Sequence, residues 1–180
     1  MRHGDGNGWV LARNGVRYWG RHGAAGLLLW APRPDGTPAI LLQHRAGWSQ
    51  HGGTWGLPGG ACDSHETPEQ TALRETREET GLSADQLRVF ATVVTARPAG
   101  ADWTYTTVVA DADRLLPVRP NGESRELRWV DETDVASLPL HPGLAASWPA
   151  LRTLLPAAME HICSAVAPAA ATPRDTAETS

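Results

Sequence analysis

The sequence predicts an α/β (α+β) fold, a mixed sheet held in a sandwich between helices. Three observations predict it. Apolar runs of strand length precede and follow one helix whose two ends are both marked. Turn signals separate those runs. A C-terminal stretch with apolar residues every three or four positions supplies a closing helix.

The elements follow in order. Residues 1–20 read as a glycine-rich extension, punctuated by Trp9, Tyr18 and Trp19, that packs on the domain. Ala24–Trp30 reads as a buried strand and Pro38–Gln43 as its hairpin partner, because Pro34-Asp35-Gly36 is a turn signal. Residues 46–53 form a loop, and Trp55–Leu57 a short strand. Thr67 is placed to cap a helix, with Pro68 at the first helical position, Gln70 completing a Thr-x-x-Gln capping box and Gly81 as the stop. Ser83 offers a second cap.

Arg88–Thr95 and Trp103–Ala110 are strand-like around the turn Pro98-Ala99-Gly100, Glu126–Val130 is a further strand and Thr133–Ser137 a helical turn. Leu144, Trp148, Leu151, Leu155, Met159 and Ile162 carry the helical period, with a kink or division expected near Pro149 and Pro156. Residues 167–180 have the composition of a disordered tail. The expected organisation is an extension over 1–20, a domain over 21–160, and over 161–180 the end of the last helix with the tail.

Composition narrows the function. A chain of 180 residues suits one domain with a sizeable core. A net charge of −4 argues against wrapping a nucleic-acid duplex, and all 16 basic side chains are arginine. The longest apolar run, Ala24 to Ala31, is too short to span a membrane, and the N-terminus lacks the apolar core of a signal peptide. Two cysteines far apart, Cys62 and Cys163, fit a reduced cytoplasmic protein.

The chemistry concentrates in the central helix. Glu75, Glu78 and Glu79 stand at i, i+3 and i+4, which puts three carboxylates on one helical face. Like charges at this spacing repel by roughly 0.2–0.5 kcal/mol per pair. A surface helix with ordinary ion pairs is the plain reading, but a hard cation such as Mg²⁺ or Mn²⁺ explains the cluster better, since it takes oxygen ligands. Ala72, Leu73, Thr76 and Thr80 are small or apolar enough to pack on a sheet, while Gln70, Arg74 and Arg77 face solvent or the preceding loop.

The helix is preceded by the glycine turn Leu57-Pro58-Gly59-Gly60 and by Glu66. Gly60, five residues, Glu66, seven residues, Arg74-Glu75, two residues, Glu78-Glu79, one residue and Gly81-Leu82 together resemble the signature of the Nudix (MutT-like) hydrolases. Every fixed position fits. Thr76 departs from the usual aliphatic residue, a matter of packing. The resemblance extends over about residues 20–160, with the signature its specific part.

The resemblance implies a Nudix α/β/α sandwich and a Mg²⁺-dependent pyrophosphatase that cleaves the diphosphate linkage of a nucleotide such as a nucleoside triphosphate or an ADP-ribose-like compound. Glu75, Glu78 and Glu79 would be metal ligands, the Gly60 carbonyl a further one, and Glu66 with Arg74 an orienting ion pair. Glu79, Glu75 or Glu123 would be the catalytic carboxylate. Glu123 precedes the strand containing Trp129, where several members of the family supply an extra acid; a solvated loop is the alternative.

Arg45 ends the second strand, where family members often place a phosphate contact, although a surface arginine reads equally well. Trp48, Trp103 and Tyr105 offer rings for base stacking, against the commoner fate of core packing. The partner is then a small nucleotide, with no membrane. Many relatives pair as homodimers, and no interface is identifiable here. A catalytically silent nucleotide sensor and an interaction protein with a tryptophan-lined surface are the readings from other classes.

Overall fold

The structure, a computed structural model, describes residues 4–155. The elements begin with a two-stranded hairpin, β1 (Trp9–Leu11) and β2 (Arg17–Trp19). The main sheet contains β3 (Ala24–Pro32), β4 (Pro38–Arg45), β5 (Trp55–Gly56), β6 (Gly59–Ala61), β7 (Arg88–Ala96), β8 (Tyr105–Asp111) and β9 (Ser124–Asp131). Helix α1 covers Pro68–Thr80 and α2 covers Pro142–Arg152. Short 3-10 turns occupy Ala84–Gln86 and Glu132–Ser137.

The order across the sheet is β5-β4-β3-β8-β7, with β6 also on β3 and β9 also on β4. β3 runs parallel to β8 and the other pairings are antiparallel, which makes the sheet mixed. β3 is buried almost throughout, and its side chains alternate between two cores as the period of two requires. Leu28 and Trp30, with Ile40 and Leu42 of β4, face the α2 residues Leu144, Trp148 and Leu151. Leu27 and Leu29, with Leu41, face the other core, which holds Ala72 of α1 and Leu82. The fold is therefore the α/β/α sandwich expected from the sequence.

Alternation along β4 positions the site. Leu41 lies on the α1 face, so Gln43, two residues on, points to the same helix. A register shift between His44 and Arg45 ends the regular ladder. Antiparallel pairing of β4 with β9 then sets Ser124 opposite Arg45, and Ala46 N–H donates to the Glu123 carbonyl at 3.0 Å. A residue late in the chain is thereby delivered beside the signature helix.

α1 has the ends its sequence predicts. Thr67 accepts from Gln70 N–H and the Gln70 side chain accepts from Thr67 N–H, a full capping box. Gly81 takes φ 79°, a left-handed conformation that suits glycine, and donates to the Arg77 carbonyl. The buried face is Thr71, Ala72, Thr76, Glu79 and Thr80.

Two expectations change. The extension over 1–20 contains the β1–β2 hairpin; its strands are short and leave Trp9, Leu11 and Trp19 exposed, so their pattern lacks the apolar run that marks a core strand. α2 continues through Pro149 and ends at Arg152. A proline removes one backbone bond, and the buried Leu144, Trp148 and Leu151 anchor the helix on both sides of it. Met159, Ile162, Cys163, Pro156 and the tail lie outside the described residues.

Candidate active site

Glu79 is the most buried acid of the signature helix, 3% exposed. Its Oε1 accepts from Gln43 Nε2 at 3.0 Å and its Oε2 from Gly59 N–H at 2.8 Å. Burial raises its pKa to about 8; the two hydrogen bonds oppose that, and the nearby carboxylates Glu75 and Glu123 add to it. The Glu75 pKa is also raised, first by burial, with Glu78 and Glu123 contributing against the pull of Arg74. Glu78 is exposed at the rim.

These groups line one cavity of about 530 Å³ together with Gly60, Gln43, Arg45, Arg74, Trp48 and Glu123. The structure thus brings the expected acids and Arg45 into one place, although Glu123 is 44 residues from Glu79 in sequence (123 − 79). Arg45 donates through Nε to the Gln50 carbonyl at 3.1 Å, which holds the guanidinium over the cavity.

The loop before α1 is tied to the helix by one ion pair. Arg74 Nε donates to Glu66 Oε1 at 2.6 Å and Nη2 to Glu66 Oε2 at 2.8 Å, the two-point fork typical of arginine and carboxylate. The same guanidinium donates to the Ala61 carbonyl and, at 2.7 Å, to Glu75 Oε1. Arg74 first, then the Thr71 hydroxyl and Asp63 N–H, hold the Glu66 carboxyl down at about 2 despite burial.

Whether a divalent cation suits this cavity can be judged from the donors. Five carboxylates line it, those of Asp63, Glu75, Glu78, Glu79 and Glu123, and burial together with neighbouring carboxylates pushes Glu75 and Glu79 towards their neutral form. A cation relieves that repulsion with the oxygen ligands it prefers. Gly60 has the complementary feature: a Cβ there would meet the Glu75 carboxylate, so a larger residue would push that carboxylate aside from the backbone it now approaches. The residues fit a hard metal ion.

A second group of ligand-type atoms lies beyond the loop, where Asp5, Asp63 and His65 come within 4.8 Å of one another. Their carboxylates already accept backbone bonds: Asp5 from Ser64 N–H and Asp63 from Gly6 N–H. This group fastens the N-terminal segment to the signature loop.

The NUDIX domain family profile matches residues 20–153. The chain belongs to the Nudix family. It is a MutT-like Nudix hydrolase, a pyrophosphohydrolase of phosphoric anhydrides. A protein of Mycobacterium tuberculosis H37Rv, provisionally named 8-oxo-dGTP diphosphatase 3, is 72% identical over 153 residues, 83% of this chain and 70% of that one. A nucleoside triphosphate pyrophosphatase/Nudix hydrolase fusion protein of Bifidobacterium longum is 38% identical over 82% of this chain and 31% of its own. Among solved structures, the Nudix hydrolase RenU of M. smegmatis superposes with a TM-score of 0.80 at 62% identity, over 84% of this chain and 96% of that one. An Ap4A hydrolase of C. elegans shares the fold, with a TM-score of 0.61 at 22% identity over 74% and 97%.

Sequence reasoning missed Gln43. It is 1% exposed, it donates to Glu79 and, at 2.7 Å, to Ser124 Oγ, and its own Oε1 has no partner among the described residues. The signal was an amide in the run Ile40-Leu41-Leu42-Gln43, where a buried strand has little use for a polar side chain. Of the stacking candidates, Trp48 is 74% exposed beside the acidic cavity, whereas Trp103 and Tyr105 line a neighbouring one. Glu126 pairs with Arg128, as a residue at a strand start can.

Proposed function

We propose that this hydrolase cleaves a nucleoside triphosphate to a mononucleotide and pyrophosphate with a divalent cation, and that an oxidised purine nucleotide of the 8-oxo-dGTP type is its first candidate substrate. The observation that carries the reading is the convergence of Glu75, Glu78, Glu79 and Glu123 with Arg45 on one cavity. The name of the M. tuberculosis relative supports the choice of nucleotide.

Glu75, Glu78 and Glu79, with the Gly60 carbonyl, would hold Mg²⁺ or Mn²⁺. When bound, such a cation offsets phosphate charge and lowers the pKa of water. The chain's own residues supply the rest. Gln43 and Gly59 N–H orient the Glu79 carboxylate. Glu79 or Glu123 takes the proton of the attacking water, and Glu75 serves as the alternative base within the same cluster. Arg45 contacts a phosphate oxygen and steadies developing charge. Glu66 keeps Arg74 in place and so holds the loop carrying Gly60 against the helix.

The intact acids oppose the reading of a silent sensor. Product release is the test: nucleoside triphosphates with and without 8-oxidation, ADP-ribose and dinucleoside polyphosphates, each with Mg²⁺, with Mn²⁺ and with chelator. Metal-dependent pyrophosphate release from a triphosphate bears the proposal out. Cleavage confined to ADP-ribose moves the substrate class, and a folded, metal-binding protein inert on every compound favours the sensor.

A further inference from the structure

A second cavity of about 360 Å³ adjoins the acidic one, and Trp19, Arg45, Gln50, Gly59 and Gly60 line both. Its volume is in the range of small-molecule pockets. One side is family core: Leu57, Tyr105, Thr107 and the start of α2 at His141–Leu144. The other side is Val16, Arg17, Tyr18 and Trp19 of the β1–β2 hairpin. All of that hairpin precedes residue 20, where the match to the family begins. This chain therefore completes the pocket with residues the shared domain does not supply.

The hairpin is held in position. Tyr18 stacks on Trp103 with ring centroids 4.8 Å apart at 28°, and Trp103 lies 6.4 Å from Tyr105. Trp103 Nε1 donates to the Trp19 carbonyl at 3.0 Å, and Arg13 N–H to the Gly100 carbonyl at 3.1 Å. The far end is pinned by Gly6 N–H to Asp63 Oδ1 at 2.8 Å and by Ser64 N–H to Asp5 Oδ1 at 2.9 Å. A strand pair too short to be stable alone is thus fixed against the loop between β7 and β8 and against the signature loop. The result is a wall of three rings, Tyr18, Trp103 and Tyr105, beside the acidic cavity.

We propose that the β1–β2 hairpin is the substrate-selecting wall of this enzyme, with Tyr18, braced by Trp103, stacking on the planar heteroaromatic base of a nucleotide whose phosphates lie in the carboxylate cavity. The inference rests on the nucleotide reading above. It assigns selection to the ring face, which every nucleobase presents.

Calorimetric titration with dGMP and with 2-deoxyribose 5-phosphate, both with Mg²⁺, isolates the base. Wild-type protein should prefer dGMP. Tyr18→Ala should cut that preference by about 5-fold to 150-fold, the range for loss of one base–aromatic stack, and leave deoxyribose phosphate binding unchanged. Tyr18→Phe should retain the preference. Leu11→Ala, on the same hairpin, 67% exposed and outside both cavities, should behave as wild type.

An unchanged dGMP preference in Tyr18→Ala overturns the proposal. So does equal weakening of both ligands, an equal loss in Leu11→Ala, or a wild-type protein without preference for dGMP. Hydrolysis measured in parallel separates the two readings. Ring-dependent binding without triphosphate cleavage would sink the proposed reaction and leave the wall standing; cleavage indifferent to Tyr18→Ala would do the reverse.

Discussion

At the scale of single residues, two buried groups decide what substitution does. Glu79 is a carboxyl in a place where ionisation is costly, yet both of its oxygens are engaged. Glu79→Gln preserves the shape and removes the charge. Turnover should fall by about 10²-fold to 10⁴-fold, the loss on removing a catalytic base, while the unfolding temperature without metal stays level or rises. Wild-type turnover in this variant would remove Glu79 from the reaction. Thr76 is a different case. It is fully buried and its Oγ1 has no hydrogen-bond partner among the described residues. Thr76→Val removes an unsatisfied hydroxyl and should stabilise the fold by about 1 kcal/mol; chemical denaturation with unchanged slope measures it. The departure from the aliphatic residue usual in the signature therefore belongs to packing.

At the scale of elements, two ion-dependent attachments set the pH behaviour. Glu66 has its folded pKa lowered to about 2 from 4.5, with Arg74 the main cause. For an acid shifted down, the stabilisation is complete above pH 4.5 and is lost as pH falls towards 2. Glu66→Gln should cost about 1.5–3 kcal/mol, the worth of a charged hydrogen bond, and should flatten that acid limb. At α2, His141 Nδ1 accepts from Gly143 N–H at 3.1 Å, which only an unprotonated nitrogen can do. Burial, with His51 and Arg45 nearby, lowers its pKa to about 4 from 6.5. The folded state then binds fewer protons than the unfolded chain between pH 6.5 and 4. Stability from this cap is complete above 6.5 and falls as pH drops to 4. His141→Asn keeps a capping oxygen and should remove that slope; melting temperatures between pH 4 and 7 would detect it.

At the scale of the whole molecule, the cavity is under electrostatic tension that a cation should release. Without metal, the raised pKa of Glu79 means that the folded state holds a proton the unfolded chain gives up. Stability from this group falls as pH rises from 4.5 to about 8. Mg²⁺ at about 100 times its dissociation constant at pH 6 should add about 2.7 kcal/mol, and the same concentration should add more at pH 8, because protons compete for the same oxygens. Thermal unfolding with and without chelator tests this, and an unfolding temperature indifferent to Mg²⁺ and Mn²⁺ at both pH values would refute it.

Legibility in the sequence followed the range of the forces involved. The signature helix was readable because its determinants are local: the capping box of Thr67 and Gln70, the Gly81 stop and the spacing of Glu75, Glu78 and Glu79 act within one or two turns. Six of the nine strands were readable from apolar runs and alternation, to within two residues at each end; β1 and β2, in the N-terminal extension, and β6, in the glycine turn before the helix, were not. Gln43 and the hairpin wall were not, because burial and partners across the sheet define them and neither leaves a periodic trace. Glu123 and Arg45 were visible as candidates, each with an ordinary surface reading beside it. What the sequence by itself determined is the fold class, the capped helix and the carboxylate face, all of which follow from backbone periodicity and nearest-neighbour sterics. What only the tertiary structure decided is which distant residues share a cavity. That depends on the β4–β9 pairing that sets Ser124 opposite Arg45 and on the contacts that bring Tyr18 to Trp103, since long-range strand and loop partners are chosen by packing of the whole core.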